Sequence, residues 1–261
     1  DGGVQVYAPD ASRSEQRSMD IEHLLILIGI SILIGLSKGG LGPVVVSTVT
    51  PLLSLVMPVP QAVATALPLL LIGDVFALRA YWGQWELHHV RLMLPAAVLG
   101  VLAGTFLLTS LPDSVLRPVL GLFTLLAVGY KLLSKRFAAA HYHARPWHGY
   151  LAGAASGLGS ALANLGAPPY TAYMLLQDVS PRLFIGTTTL FFAIVNLLKL
   201  PGLIAAGLID LSALRDVILM LPLVLLGVHM GRRFIEWIDP AVFEWGMIAL
   251  LVAASTLLLL S

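Results

Sequence analysis

The chain has 261 residues, 58% hydrophobic and only 11% charged, and its 15 basic and 14 acidic side chains leave a net charge of +1. That composition lies outside the soluble globular range and describes an integral membrane protein. The small net charge argues against a nucleic-acid partner, and the absence of cysteine excludes disulfides, thiolate catalysis and cysteine metal sites.

Residues 1–18 are polar and aperiodic, with no cleavable signal-peptide pattern, and read as a leader or added extension outside the fold. Apolar helices are then expected over Ile21–Leu36, Pro43–Met57, Gln61–Arg79, Val90–Thr109 and Ser114–Leu133, forming a first membrane repeat over 19–133. A basic loop over 134–146 follows. A second repeat over 147–261 carries Trp147–Ala163, Pro168–Gln177, Arg182–Leu200, Leu214–Met230 and Pro240–Leu260. Strand-like alternation is absent, so a β-barrel is excluded.

The two halves match in order. Gly35-Leu36-Ser37-Lys38-Gly39-Gly40-Leu41-Gly42-Pro43 interrupts the first, and Gly157 to Pro169 interrupts the second. Each break leads to a proline-led restart, at Pro60 and at Pro181. With one gap, Asp74 falls opposite Asn196. Leu94-Pro95, Gly100 and Gly104 match Leu221-Pro222, Gly227 and Gly231 at constant spacing. The period is too long for a solenoid and marks one duplicated domain.

Paired breaks in apolar helices point to a transporter's binding site. Two topologies compete. Eight spans would leave seven loop or helix-end basic residues on one side and four on the other. Making each first pair a re-entrant hairpin gathers Arg79, Arg91, Lys131, Lys135, Arg136, Arg145, Arg182, Arg232 and Arg233 on one side, against Arg117 and Arg215. The positive-inside rule favours this second arrangement, with the central loop cytoplasmic. The expected fold class is therefore all-α and polytopic, its two halves inverted repeats whose broken helices meet near the bilayer centre.

Glycines at 39, 40, 42 and 166 let the backbone turn, and helices restarting at Pro43 and Pro168 expose unpartnered amides that suit an anion. Lys38 lies inside the first break, where an ammonium needs a partner or an anionic substrate. Candidate substrate contacts are Lys38, Gly39, Gly40, Gly42, Ser47, Asn164, Gly166, Tyr170, Thr187 and Asn196, with Asp74 as the coupling or gating group. Lys199 stands close to Pro201 and is expected to snorkel to the surface. His88-His89 and His141-Tyr142-His143 are expected in loops; the seven histidines form no metal-binding pattern, and no nucleotide motif or other cofactor signature is present.

These breaks, with the downstream proline, the Ala64-Thr65 and Thr187-Thr188 elements, and Asp74 and Asn196, resemble the TauE/SafE sulfite exporter family of membrane transporters, over about Ile21 to Leu260. Lys38 and Pro168-Pro169 depart from the family pattern. The resemblance implies a duplicated domain in the cell (inner) membrane that moves small sulfur-containing anions, such as sulfite or sulfonates, often outward. The expectation is a secondary transporter working by alternating access, not an enzyme. Its partners would be a small anionic solute and the lipid bilayer, with or without a second copy of the chain. A passive anion or weak-acid channel and a non-transporting membrane scaffold are the alternatives.

Overall fold

The computed structural model describes residues 25, 27–38, 43–137, 145–177, 179–209, 219–230 and 240–260. In chain order the helices of the first half are α1 (Leu27–Leu36), α2 (Pro43–Leu53), α3 (Val59–Ala80), α4 (Leu87–Ser110) and α5 (Asp113–Phe137). The second half has α6 (Pro146–Ala163), α7 (Ala167–Met174), α8 (Pro181–Ala205), α9 (Leu219–Met230) and α10 (Pro240–Leu260). There is no strand among the described residues. Four of these helices, α3, α4, the Asp113–Tyr130 part of α5, and α8, are long and apolar enough to cross a bilayer. Large apolar side chains such as Leu99, Leu102, Phe106, Leu126 and Leu197 face outward. Together these features make the chain a multi-pass membrane protein.

Helix-to-helix attraction in lipid comes from close backbone approach rather than from burying apolar surface, so small residues decide which helices touch. Gly157 on α6 lies so near the Ala97 carbonyl of α4 that a methyl there would overlap it. Gly35 on α1 stands in the same relation to the Val224 carbonyl of α9. Gly100 of α4 meets the Ala154 carbonyl, and Gly227 of α9 meets the Ile32 carbonyl. These are matched positions of the duplicated sequence: Ala97 and Val224 each precede their matched glycine by three residues, as Ile32 precedes Gly35 and Ala154 precedes Gly157. Each half therefore sends its fourth helix to pack on the first helix of the other half.

The matched long helices α3 and α8 pair with each other and run antiparallel. Asp74 meets Asn196 at mid-length, while Gln84 and Glu86, just beyond α3, lie on Gly186 and Thr187 at the start of α8. α5 and α10 also pack together.

The second break is a hairpin. Asn164 ends α6 in the left-handed conformation, φ 54°, which asparagine tolerates better than most non-glycine residues. This turn lets the Leu165 amide bond back to the Gly159 carbonyl at 3.0 Å. The chain then reverses: Gly166, capping α7, lies on Ser156 and Ser160, and Gly149 near the start of α6 lies against Tyr173 near the end of α7. At the first break, α1 widens into a π-type turn at Ser37 and Lys38, a distortion common at functional sites.

Some boundaries differ from expectation. Helix α8 continues through Pro201 to Ala205, because a proline is tolerated where neighbouring helices satisfy the freed carbonyl. Helix α4 begins at Leu87, so His88 and His89 sit on its first turn rather than in a loop. His141 to His143 lie outside the described residues.

Candidate functional site

A cavity of about 190 Å³ lies where the breaks meet α3 and α8. Its walls draw on all four broken ends: Ser37 and Lys38 from α1, Val46 and Ser47 from α2, Ser160 and Asn164 from α6, Ala167 and Thr171 from α7. Leu70, Ala77 and Tyr81 on the α3 side and Phe184, Ile185, Thr188, Thr189, Phe192 and Asn196 of α8 complete it. At Tyr81 and Phe184 the cavity approaches the shared end of α3 and α8. Towards the other end of α3 and α8 these helices are sealed by a core that includes Val59, Val63, Leu67, Leu162, Leu165 and Leu203.

Two linked polar systems hold the site together. Lys38 Nζ donates to Asp74 Oδ1 at 2.5 Å, and Asn196 Nδ2 donates to Asp74 Oδ2 at 2.6 Å. On the other side, Lys199 Nζ donates to Asn164 Oδ1 at 2.7 Å and to the Ser160 carbonyl at 3.1 Å. Asn164 Nδ2 in turn donates to Thr50 Oγ1 of α2 at 3.0 Å. Each half thus fastens its own break to its own long helix, Lys38 to Asp74 and Asn164 to Lys199. One further bond from each system crosses between the halves, Asn196 to Asp74 and Asn164 to Thr50.

The basic groups are unequally paired. Asp74 and Lys199 are each 1% exposed, and Lys38 is only partly exposed. Among the described residues, two lysines and one carboxylate make up the ionic groups of these systems, and Asp74 makes its short contact with Lys38. Lys199 is hydrogen-bonded only to neutral oxygens. An ammonium in the membrane interior costs about 2.5–3.5 kcal/mol on insertion scales unless something anionic offsets it. Lys199 also places a basic group on the Ser160 carbonyl, near the negative end of α6.

The residues singled out from sequence fall in several places. Lys38, Ser47, Asn164 and Asn196 line the cavity, and Asp74 lies directly behind Lys38 and Asn196. Gly166 caps α7 next to the lining residue Ala167. Tyr170 is buried among Phe184, Phe191 and Phe192 and supports α8 from outside the cavity. Thr187 accepts from the Glu86 amide at 2.8 Å and donates to the Leu183 carbonyl, which places it at the α3–α4 loop. Gly39, Gly40 and Gly42 lie outside the described residues.

Lys199 does not snorkel. Its side chain leans toward the N-terminus of α8, as helical side chains do, and so reaches inward to Asn164. The signal available in the sequence was its spacing, three residues and nearly one turn beyond Asn196 on the same helix. Among the described residues no cluster of histidine and acidic groups is able to hold a metal.

A sequence model of the family described as "Sulfite exporter TauE/SafE" matches residues 27–258 of the chain. No curated protein and no solved structure matches it.

Proposed function

The chain belongs to the TauE/SafE sulfite exporter family, a family of membrane transporters and not of enzymes, and from that premise we propose a secondary carrier for a small oxyanion such as sulfite or a sulfonate. The single observation that carries the reading is the pairing of basic groups around the cavity: Lys38 lines it against Asp74, and Lys199 stands behind its Asn164 wall, buried and hydrogen-bonded only to neutral oxygens. An oxyanion entering between the starts of α2 and α7 meets Lys38 on one side and Asn164, held from behind by Lys199, on the other. The serine and threonine hydroxyls around it supply hydrogen bonds weak enough to release it.

The halves are inverted repeats in this reading. Antiparallel α3 and α8, together with the exchange of α4–α6 contacts for α9–α1 contacts, support an axis lying in the membrane plane. Rocking one half against the other about the Asp74–Asn196 contact gives alternating access, with Asp74 shifting between Lys38 and the substrate-bound arrangement. The chain resides in the cell (inner) membrane with its central loop cytoplasmic, working alone or beside a second copy.

Counterflow in proteoliposomes tests this. Vesicles preloaded with sulfite are expected to accumulate labelled sulfite transiently, which a channel does not do. Absence of counterflow with sulfite, sulfate, thiosulfate and small sulfonates, from protein shown to be folded and inserted, overturns the proposal.

A further inference from the structure

A second cavity, about 420 Å³, lies on the opposite face of α7 from the first. The alternation is visible in α7 itself: Ala167 and Thr171 line the anion cavity, whereas Pro168, Pro169, Ala172 and Tyr173 line this one. Its other walls are apolar, with Phe123, Leu126 and Ala127 from α5 and Leu151 and Ala155 from α6. The volume falls within the roughly 300–1,000 Å³ of small-molecule pockets, but no cation lines it. A free anion therefore has nothing to bind there.

Two observations identify the occupant. The cavity is flanked by outward-facing Leu126 and Leu151, 63% and 62% exposed, so it opens toward lipid rather than toward water. Its polar end, at Tyr130 and His148, lies beside Arg145, and in sequence residues 131–145 hold three further basic side chains and no aspartate or glutamate. Exposed Trp147 and Tyr150 stand at the same end, where aromatic side chains mark the headgroup level. His148 Nδ1 accepts from the Arg145 amide at 2.9 Å, which fixes the start of α6 beside the cavity mouth.

We propose that this cavity, between α5 and the α6–α7 hairpin, binds the acyl chain of an anionic phospholipid whose phosphate is held by Arg145. Basic clusters at the membrane surface recognise anionic headgroups in this way. The bound chain packs directly on α7, a helix of 8 residues, whose far side is part of the anion cavity. Lipid occupancy therefore positions one wall of the anion cavity.

The test uses the full chain in nanodiscs of equal phosphatidylglycerol and phosphatidylcholine, released into native mass spectrometry. Wild type is expected to retain one phosphatidylglycerol per chain. Ala172→Phe, which fills the cavity, is expected to lose it. Arg145→Gln keeps a lipid but lowers the preference for the anionic headgroup about fivefold, the effect of one basic residue near an anionic surface. If Ala172→Phe does not give monodisperse protein, Ala127→Phe on the opposite wall carries the same expectation. Equal retention of the two lipids by wild type, or undiminished retention in the folded cavity-filling variant, overturns the proposal.

Discussion

Asp74 and Asn196 occupy matched positions of the two halves and are hydrogen-bonded to each other, Asn196 Nδ2 donating to Asp74 Oδ2 at 2.6 Å. Of two equivalent sites on paired helices, one became acidic and the other an amide. An aspartate on both sides would have set two carboxylates against each other in a medium that stabilises neither. The amide instead satisfies the oxygen that Lys38 leaves free.

Lys199→Met is expected to destabilise the protein by about 1–3 kcal/mol, because it takes away the donor that the buried Asn164 Oδ1 and Ser160 carbonyl share. The same variant should lose anion affinity by about 30-fold or more, since deleting one partner of a buried charge contact costs about 2–5 kcal/mol. Thermal shift with and without sulfite separates the two effects. Undiminished stabilisation by sulfite in this variant removes Lys199 from the site.

Asp74→Asn acts on the other polar system. It leaves Lys38 without its counter-charge, and breaking a buried pair in this way costs about 3–5 kcal/mol. Lys38→Met added to Asp74→Asn should recover most of that loss, the recovery measuring the coupling between the two residues. A double variant no more stable than Asp74→Asn alone means the pair is not what holds α1 to α3.

The matched glycines should respond alike. Gly157→Ala drives a methyl into the Ala97 carbonyl, and Gly35→Ala drives one into the Val224 carbonyl. Each is expected to destabilise by about 1–3 kcal/mol, the usual range for overpacking. Chemical denaturation in mild detergent reads both; one severe and one neutral result would show that the two helix crossings do not bear equal weight.

The chain's lack of cysteine allows a clean cross-link. Glu86→Cys with Thr187→Cys places two thiols on segments held together by the 2.8 Å bond from the Glu86 backbone amide to the Thr187 hydroxyl. The resulting disulfide should abolish counterflow while leaving sulfite binding intact, and reductant should restore it. Full counterflow in the oxidised protein means the α3–α4 loop and α8 move together throughout the cycle.

Much of this organisation was legible in the sequence because duplication leaves marks that hydrophobicity cannot mask. The glycine spacing around positions 100 and 227 and the breaks before Pro43 and Pro168 stand out against the apolar background. The facing of each helix did not. In lipid both the buried and the exposed sides of a helix are apolar, so periodicity does not say which side points inward. Lys199 shows the consequence: judged by distance to Pro201 it belongs at a surface, but α8 runs on to Ala205 and the side chain leans back toward mid-membrane. Tyr170 and Thr187 were drawn toward the site by polarity, yet they stand behind the cavity wall and at its loop.

The halves agree in backbone contact and disagree in charge. In one, the cation sits at the break and its partner on the long helix is acidic; in the other, the break carries a neutral amide and the long helix carries the cation. Were the two halves chemically identical, an empty inverted-repeat carrier would spend equal time facing the two compartments. On the carrier proposed above, a cation at the break in one half and on the long helix in the other would make the two resting orientations differ in energy and give the unloaded protein a preferred side.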